Sequence, residues 1–303
     1  MRVNLSTYRN YIPTFSSTGR TKYYNSDKGM YIAPTYDVIN MPKDGSIKIV
    51  TSNSTSFFRT DLEWETIGKK LENYEFPTAD KVHTYVFGCS DGSEVYSLAI
   101  ALIEQLGLEK AKKYFPICAS DIDFEMIKQA KSGKIQATDT DIVRISHNIK
   151  SGKSSEYFRF RRIKQNLNEL TMKDILRDNI IFSKKDILNG LDEVEQSNSL
   201  VLCRNFWRYL TPQQIANRLW KMREKLDESS RIIIGNYDKL HNSVPCFFEN
   251  MGFYPVSFDY DYMNGNILKL YPEEAGKYYP DDKTEWLKYV KRNYPDYKFN
   301  YLY

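Results

Sequence analysis

No apolar run in this chain approaches the roughly 20 residues needed to cross a bilayer, and Met1–Arg9 carries no apolar stretch of the kind that opens a secretory signal. A soluble, cytoplasmic protein is expected. Cysteine is scarce: Cys89, Cys118, Cys203 and Cys246 lie far apart, with no C-x-x-C pair and no Cys/His grouping, so neither a disulfide framework nor a zinc site is expected. Three of the four sit at the ends of apolar runs, which predicts buried thiols. A charge excess of one sign is also missing. The 43 Lys and Arg stand against 39 Asp and Glu, and a net charge of +4 announces no polyanion partner. What the chain has is packing material, because 41% of its 303 residues are hydrophobic and 15% aromatic, enough for one large domain or two modest ones.

Residues 1–50 are rich in Tyr, Ser, Thr and Asn without a sustained period, which predicts an irregular arm with a short hairpin that does not fold alone. Strand and helix signals then alternate. Strands are expected over Val82–Phe87, Tyr114–Ala119, Ile180–Ser183, Ser199–Cys203 and Arg231–Gly235. Helices are expected after the first strand (Val95, Leu98, Ala99, Leu102, Ile103, Leu106), over Phe124–Ser132, and over Thr211–Leu226 with Thr211 as N-cap and Pro212 at the first helical position. Alternation of this kind means an α/β fold with a parallel sheet covered on both faces, and its ligand belongs at the carboxyl ends of the strands. A further helix around His241–Asn250 precedes two strands, Phe253–Phe258 and Asn266–Leu270, whose short connection demands antiparallel pairing. An amphipathic helix around Trp286–Val290 and an aromatic tail close the chain. Parallel strands closed by an antiparallel hairpin form the Rossmann-like sheet of class I methyltransferases rather than that of dehydrogenases.

The stretch Gly88-Cys89-Ser90-Asp91-Gly92-Ser93-Glu94 carries the most information. Its glycines allow a tight turn and close approach of a ligand, and the helix that follows offers free N–H groups. Dinucleotides, phosphates and S-adenosylmethionine all suit such a turn. Asp121, at the tip of the second strand, is placed to accept both ribose hydroxyls of an adenosine ligand, whereas Asp123 is placed to cap the next helix.

Four segments taken together resemble the CheR-type chemotaxis receptor methyltransferases. Asn53/Thr55/Phe57/Phe58/Arg59 match N-x-T-x-F-F-R, Gly88–Ser97 match G-C-S-x-G-x-E-P-Y-S, Ala119–Asp123 match A-S-D-I-D, and Cys203/Arg204/Asn205/Tyr209 match C-R-N-x-x-x-Y. They occur in the family's order and span about residues 50 to 271. The resemblance implies a methyltransferase domain over 51–271 with an insertion at 134–178, between the 1–50 arm and a 272–303 helix and tail. It implies S-adenosylmethionine as cofactor and a methyl group passed to a carboxylate oxygen, as on a protein glutamate. Asn53, Thr55 and Arg59 would meet the methionine end, Glu94 its amino group or nearby backbone, and Asp121 the ribose. Asp186 and Ile187 would border the adenine, and Gly88, Arg204 and Asn205 would complete the pocket. Arg59 and Tyr209 would orient the acceptor carboxylate.

Simpler readings stand beside these. Phe57 and Phe58 are expected in the core, Tyr209 could open the loop before the Thr211 helix, and Arg204 could form a structural ion pair. The family's N-terminal helical domain has no counterpart in residues 1–50. Of the small β-subdomain that in the family can dock on a receptor tail, only Tyr157–Lys164 reads as strand. Val95 replaces a proline, and Gly235-Asn236-Tyr237-Asp238 stands where a Ser-Glu pair is usual. The acceptor is expected to be a protein with an accessible glutamate, such as a chemoreceptor, or a small molecule. A non-catalytic S-adenosylmethionine-binding module is the reading from another class. Nucleic acid is not an expected partner, since the chain has no Pro-Pro pair and the basic run Tyr157–Lys164 fits a partly solvated strand.

Overall fold

Strand-length apolar segments separated by helices assemble as the alternation predicts. The computed structural model describes residues 23–25, 30–32, 55–149, 154–207, 210–239, 244–256, 267–277 and 280–294. It divides into two units, Met1–Ser54 with Phe299–Tyr303, and Thr55–Lys298. In the first, β1 (Tyr23–Asn25) and β2 (Met30–Ile32) pair antiparallel with Tyr24 opposite Tyr31, the short hairpin expected in that region.

The second unit contains β3 (His83–Phe87), β4 (Ile117–Asp121), β5 (Lys134–Ala137), β6 (Phe158–Lys164), β7 (Leu167–Met172), β8 (Ile180–Lys184), β9 (Ser199–Leu202), β10 (Arg231–Ile233), β11 (Phe253–Pro255) and β12 (Ile267–Leu270). Seven of these form one sheet in the order β8-β4-β3-β9-β10-β12-β11. The first five run parallel. β12 is antiparallel to both β10 and β11, so it is the one reversed strand. The expected hairpin is therefore present, but its second strand inserts beside β10 and pushes the first to the sheet edge. This order is that of the class I methyltransferase fold. β4 begins later than its apolar run suggests, because Lys112–Tyr114 forms a 3-10 turn and Pro116 has no N–H to give a ladder.

Strand periodicity sorts side chains to two faces. Val86, Leu200, Leu202 and Ile233 join one apolar cluster with helix α1 (Ser93–Leu106) and with Phe57, Phe58, Leu62 and Trp64. Tyr85, Phe87, Val201 and Ile232 join the other with α4 (Pro212–Lys225), α5 (Val244–Asn250) and α6 (Lys283–Asn293). Each large apolar side chain so buried contributes roughly 1.5–3 kcal/mol. Helix α2 (Phe124–Ser132) starts on Asp123, whose carboxylate accepts from the N–H groups of Glu125 and Met126. Helix α4 starts on a reciprocal cap between Thr211 and Gln214, with Pro212 at its first turn, as expected. No helix among the described residues is long and apolar enough to cross a membrane.

The insertion corrects the sequence reading. β5, β7 and β6 form a three-stranded antiparallel sheet, where only Tyr157–Lys164 was expected as strand. The pattern of β7 was hidden by Asn168, a polar residue on its buried face with Leu170 and Met172. Asn168 is tolerated there because its Nδ2 donates to Asp139 Oδ1 at 2.9 Å and to the Ala137 carbonyl at 3.3 Å. Asp139 opens helix α3 (Asp139–Asn148), so the small sheet is tied to that helix.

Candidate active site at the carboxyl edge of the sheet

Parallel strands deliver their carboxyl ends to one edge, and there Gly88, Asp121, Arg204 and Gly235 emerge from β3, β4, β9 and β10. The chain leaves β3 through Gly88 with φ +69°, and Ser90 follows with φ +49°, a strained conformation for a residue with a side chain. Asp121 holds it in place: the Ser90 N–H donates to Oδ2 at 2.8 Å, and the Asp123 N–H donates to Oδ1 at 2.9 Å. Burial pushes the Asp121 carboxyl above its ordinary range, while these two N–H groups pull it back. Asp91, raised by burial in the same way, accepts from the Ser93 N–H and hydroxyl at the start of α1.

Glu94, in the first turn of α1, reaches the β9 exit. Arg204 Nη1 donates to Glu94 Oε2 at 2.8 Å, and Arg204 Nη2 donates to Asp61 Oδ1. Asn205 Nδ2 donates to the other oxygen of Asp61 at 2.7 Å. The Arg204 side chain is 0% exposed and lies 5.3 Å from the Trp64 ring, whose indole N–H donates to the Arg59 carbonyl. Burial raises the Glu94 carboxyl, and the guanidinium groups of Arg204 and Arg59 oppose the rise. Arg59 lowers Asp91 as well, so its charge is felt across the glycine turn. On the far side, Asp238 is fully buried and accepts from the N–H groups of Asn205, Trp207 and Gly235, fastening the β9 exit to the β10 exit. A side chain at Gly235 would put its Cβ 1.9 Å from Asn205 Oδ1, so that position is restricted to glycine.

The structure thus brings Gly88, Glu94, Asp121, Arg204 and Asn205 to one edge, where the charge of Arg59 acts on Glu94. Thr55 is half-buried. Arg204 takes the ion-pair arrangement, its two terminal nitrogens engaged by carboxylates. Asp186, past β8, caps the Ile187–Gly190 turn through the Leu188 N–H and binds Arg218 at 3.0 Å, while Ile187 is buried in the apolar cluster under α4. Asn53 and Tyr209 lie outside the described residues. The sequence reading missed Asp61 and Asp238. Asp61 follows Arg59 by two residues but matches no motif position, and Asp238 falls in the segment already noted as departing from the family.

The donor and acceptor set suits an adenosine ligand with an amino-acid tail. Asn205 Oδ1 and Arg204 Nε are buried without a hydrogen-bond partner. Gly88 sits at φ +69°, in the left-handed region that favours glycine, and a Cβ there would also press on the Phe206 ring at 3.2 Å. The family described as CheR methyltransferase, SAM binding domain, matches residues 53–254, more than half of the chain. A chemotaxis protein methyltransferase of Listeria monocytogenes is 25% identical over 200 residues, covering 66% of this chain and 70% of that protein. Its counterpart in Borreliella burgdorferi is 22% identical, covering 64% and 67%. Among solved structures, magnesium protoporphyrin IX methyltransferase (ChlM) from Synechocystis PCC 6803 with bound SAM is 14% identical with a TM-score of 0.34, over 64% of this chain and 69% of that one; so distant a likeness carries no weight. Sequence order, sheet order and family match agree: the chain belongs to the CheR methyltransferase family and is an S-adenosylmethionine-dependent methyltransferase.

Proposed function

We propose that the protein methylates a carboxylate oxygen, and that the acceptor is a glutamate side chain of a partner protein such as a chemoreceptor. The observation that carries this reading is Arg59: a half-buried residue whose positive charge lowers the carboxyls of Asp91 and Glu94, on either side of the turn's end at the start of α1. The names of the relatives from Listeria and Borreliella support it.

When bound, S-adenosylmethionine supplies an electrophilic methyl group on a sulfonium centre. In this reading Asp121 accepts the ribose hydroxyls on lone pairs left over from Ser90 and Asp123. Glu94 receives the amino group, Asn53, Thr55 and Arg59 the methionine end, and Asp186 and Ile187 border the adenine. Gly88 gives close approach, while Arg204 stands behind Glu94 and Asn205 completes the wall. An acceptor glutamate has an ordinary pKa of about 4.3 and is ionised near neutral pH, so no general base is required. Arg59, with Tyr209, grips one acceptor oxygen by a charge-assisted hydrogen bond and leaves the other directed at the methyl carbon. The domain performing this is residues 51–271, and the three-stranded sheet within it offers the acceptor protein a docking element.

The test is transfer of labelled methyl from S-adenosylmethionine to proteins of a bacterial lysate. Label released by mild alkali, and strongly reduced by Arg59→Ala even at S-adenosylmethionine concentrations that compensate for its weakened cofactor binding, supports a glutamyl ester. Label stable to alkali, or an Arg59→Ala protein as active as the parent, overturns it.

A further inference from the structure

Asp61 matches no family motif, yet both of its carboxylate oxygens are engaged at the β9 exit. Its Oδ1 accepts from Arg204 and its Oδ2 from Asn205, and its side chain is only 7% exposed. Arg204 is consequently divided between two carboxylates, with Nη2 on Asp61 and Nη1 on Glu94. One guanidinium between two carboxylates leaves a net charge of −1. Glu94 Oε1 has no hydrogen-bond partner among the described residues, and the Glu94 side chain keeps 14% exposure. A net-negative, water-poor assembly with one open carboxylate oxygen is matched to a cation.

We infer that Asp61 is a positioning residue for the cationic end of the cofactor: by holding half of Arg204, it leaves Glu94 with unneutralised negative charge for the ligand's ammonium group. The inference rests on the reading of Glu94 given under the proposed function. Were Asp61 neutral, the guanidinium, with no exposure to water, would be left to Glu94 and would cancel the charge there. A purely structural Asp61, one that only ties the segment carrying Arg59 to the β9 exit, would also weaken the ligands that carry the amino-acid tail, but that loss would not be recovered by removing the Arg204 charge as well.

Calorimetric titration with three ligands separates these roles. S-adenosylmethionine and S-adenosylhomocysteine both carry the ammonium group, and 5′-methylthioadenosine lacks the amino-acid tail altogether. In Asp61→Asn the first two are expected to bind about tenfold more weakly, equivalent to about 1.4 kcal/mol, with methylthioadenosine changed less than twofold. Asp61→Glu is expected to recover most of the loss. Removing both charges, as in Asp61→Asn combined with Arg204→Gln, returns the net charge to −1 and is expected to restore the preference for ammonium-bearing ligands, which also serves if the single variant fails to fold. Equal losses for all three ligands, no loss for any, or a double variant without the preference overturns the inference. A parent protein that binds none of the three overturns the functional reading and this one with it; binding by the parent with an unchanged ligand ratio in Asp61→Asn overturns this inference alone.

Discussion

The carboxyl edge of the large sheet and the small sheet β5-β7-β6 use the same charged residue types to opposite ends. At the edge, Asp61, Asp121, Arg204 and Asn205 are each less than 9% exposed; Asp61 is met by Arg204 and by the Asn205 amide, and Asp121 by backbone N–H groups. On the small sheet's outer strand, Arg159, Arg161, Arg162 and Lys164 are exposed, and Phe160 and Ile163 beside them are 53% and 44% exposed. Its ion pairs, Arg161 with Glu169 at 2.9 Å and Arg162 with Asp139 at 2.6 Å, sit in solvent. Desolvation accounts for the difference: a buried charge without its partner is severely destabilising, whereas a solvated one is replaced by water and salt at little cost. The first region holds one geometry, and the second presents its charges to solvent.

The largest expected effect follows from removing one buried cation. Arg204→Ala leaves Asp61 and Glu94 buried without the guanidinium between them, and a loss of about 3–5 kcal/mol in unfolding free energy is expected. Urea denaturation of Arg204→Ala beside Arg161→Ala measures the contrast directly. Comparable midpoints for the two variants would break it.

Next comes Asp121→Ala, which strips the Ser90 and Asp123 N–H groups of their acceptor and the ligand of its ribose partner. S-adenosylhomocysteine binding is expected to weaken by about 2–3 kcal/mol, roughly 30- to 150-fold by calorimetry. Asp123→Ala removes only a helix cap, so a stability loss of about 1 kcal/mol with unchanged affinity is expected. If the two variants bind equally well, Asp121 is a cap like its neighbour.

These residues differ in how far the sequence exposed them. The glycine turn, the Asp123 cap and the Thr211–Gln214 box are local arrangements, fixed by residues within a few positions of one another, and spacing was enough to find them. Asp61 and Arg204 lie 143 positions apart and meet because β9 pairs with β3, whose following helix α1 holds the segment around Phe58 through the Phe58 N–H bond to Ser97 Oγ. No local pattern encodes that meeting, nor the way Asp238 ties two strand exits together. The insertion of β12 beside β10 is likewise a choice of edge, and an antiparallel pair of strands satisfies its own pattern in either order. In β7 the sequence misled, because Asn168 occupies a core-facing position that only its bonds to Asp139 and Ala137 make acceptable.

Titration distinguishes the regions by sign. Burial raises Asp91, Glu94 and Asp121, so the folded protein keeps their protons to higher pH than the unfolded chain does. Stability at the edge therefore falls as pH rises above the ordinary carboxylate range near 4, at up to about 1.4 kcal/mol per pH unit for each proton of difference, and levels off once the folded groups have ionised. Asp139 behaves in the opposite sense: hydrogen bonds from Asn168 and Arg162 lower it, so its contribution is present above its ordinary value and is lost as pH falls below that value toward the folded one. Unfolding free energy measured from pH 3 to 7 is expected to lose part of its decline above about pH 4 in Asp121→Asn, and part of its acid-side rise in Asp139→Asn. The same slope change in both variants would remove the distinction.

The smallest effect divides the small sheet itself. Arg161 meets Glu169 on the neighbouring strand, 68% exposed, and Arg161→Ala is expected to change stability by no more than about 0.5 kcal/mol. Arg162 does more, since it holds both oxygens of Asp139 and also donates to Asn168 Oδ1 at 3.3 Å, bonding to the helix that the small sheet is packed on. Its removal leaves the buried Asn168 with one acceptor site unfilled, so Arg162→Ala is expected to cost about 1 kcal/mol, with S-adenosylhomocysteine affinity unchanged in both variants. Should Arg161→Ala prove the more costly, the strand's outer face would be doing structural work, and the division between a fixed edge and an adaptable surface would have to be redrawn inside the small sheet.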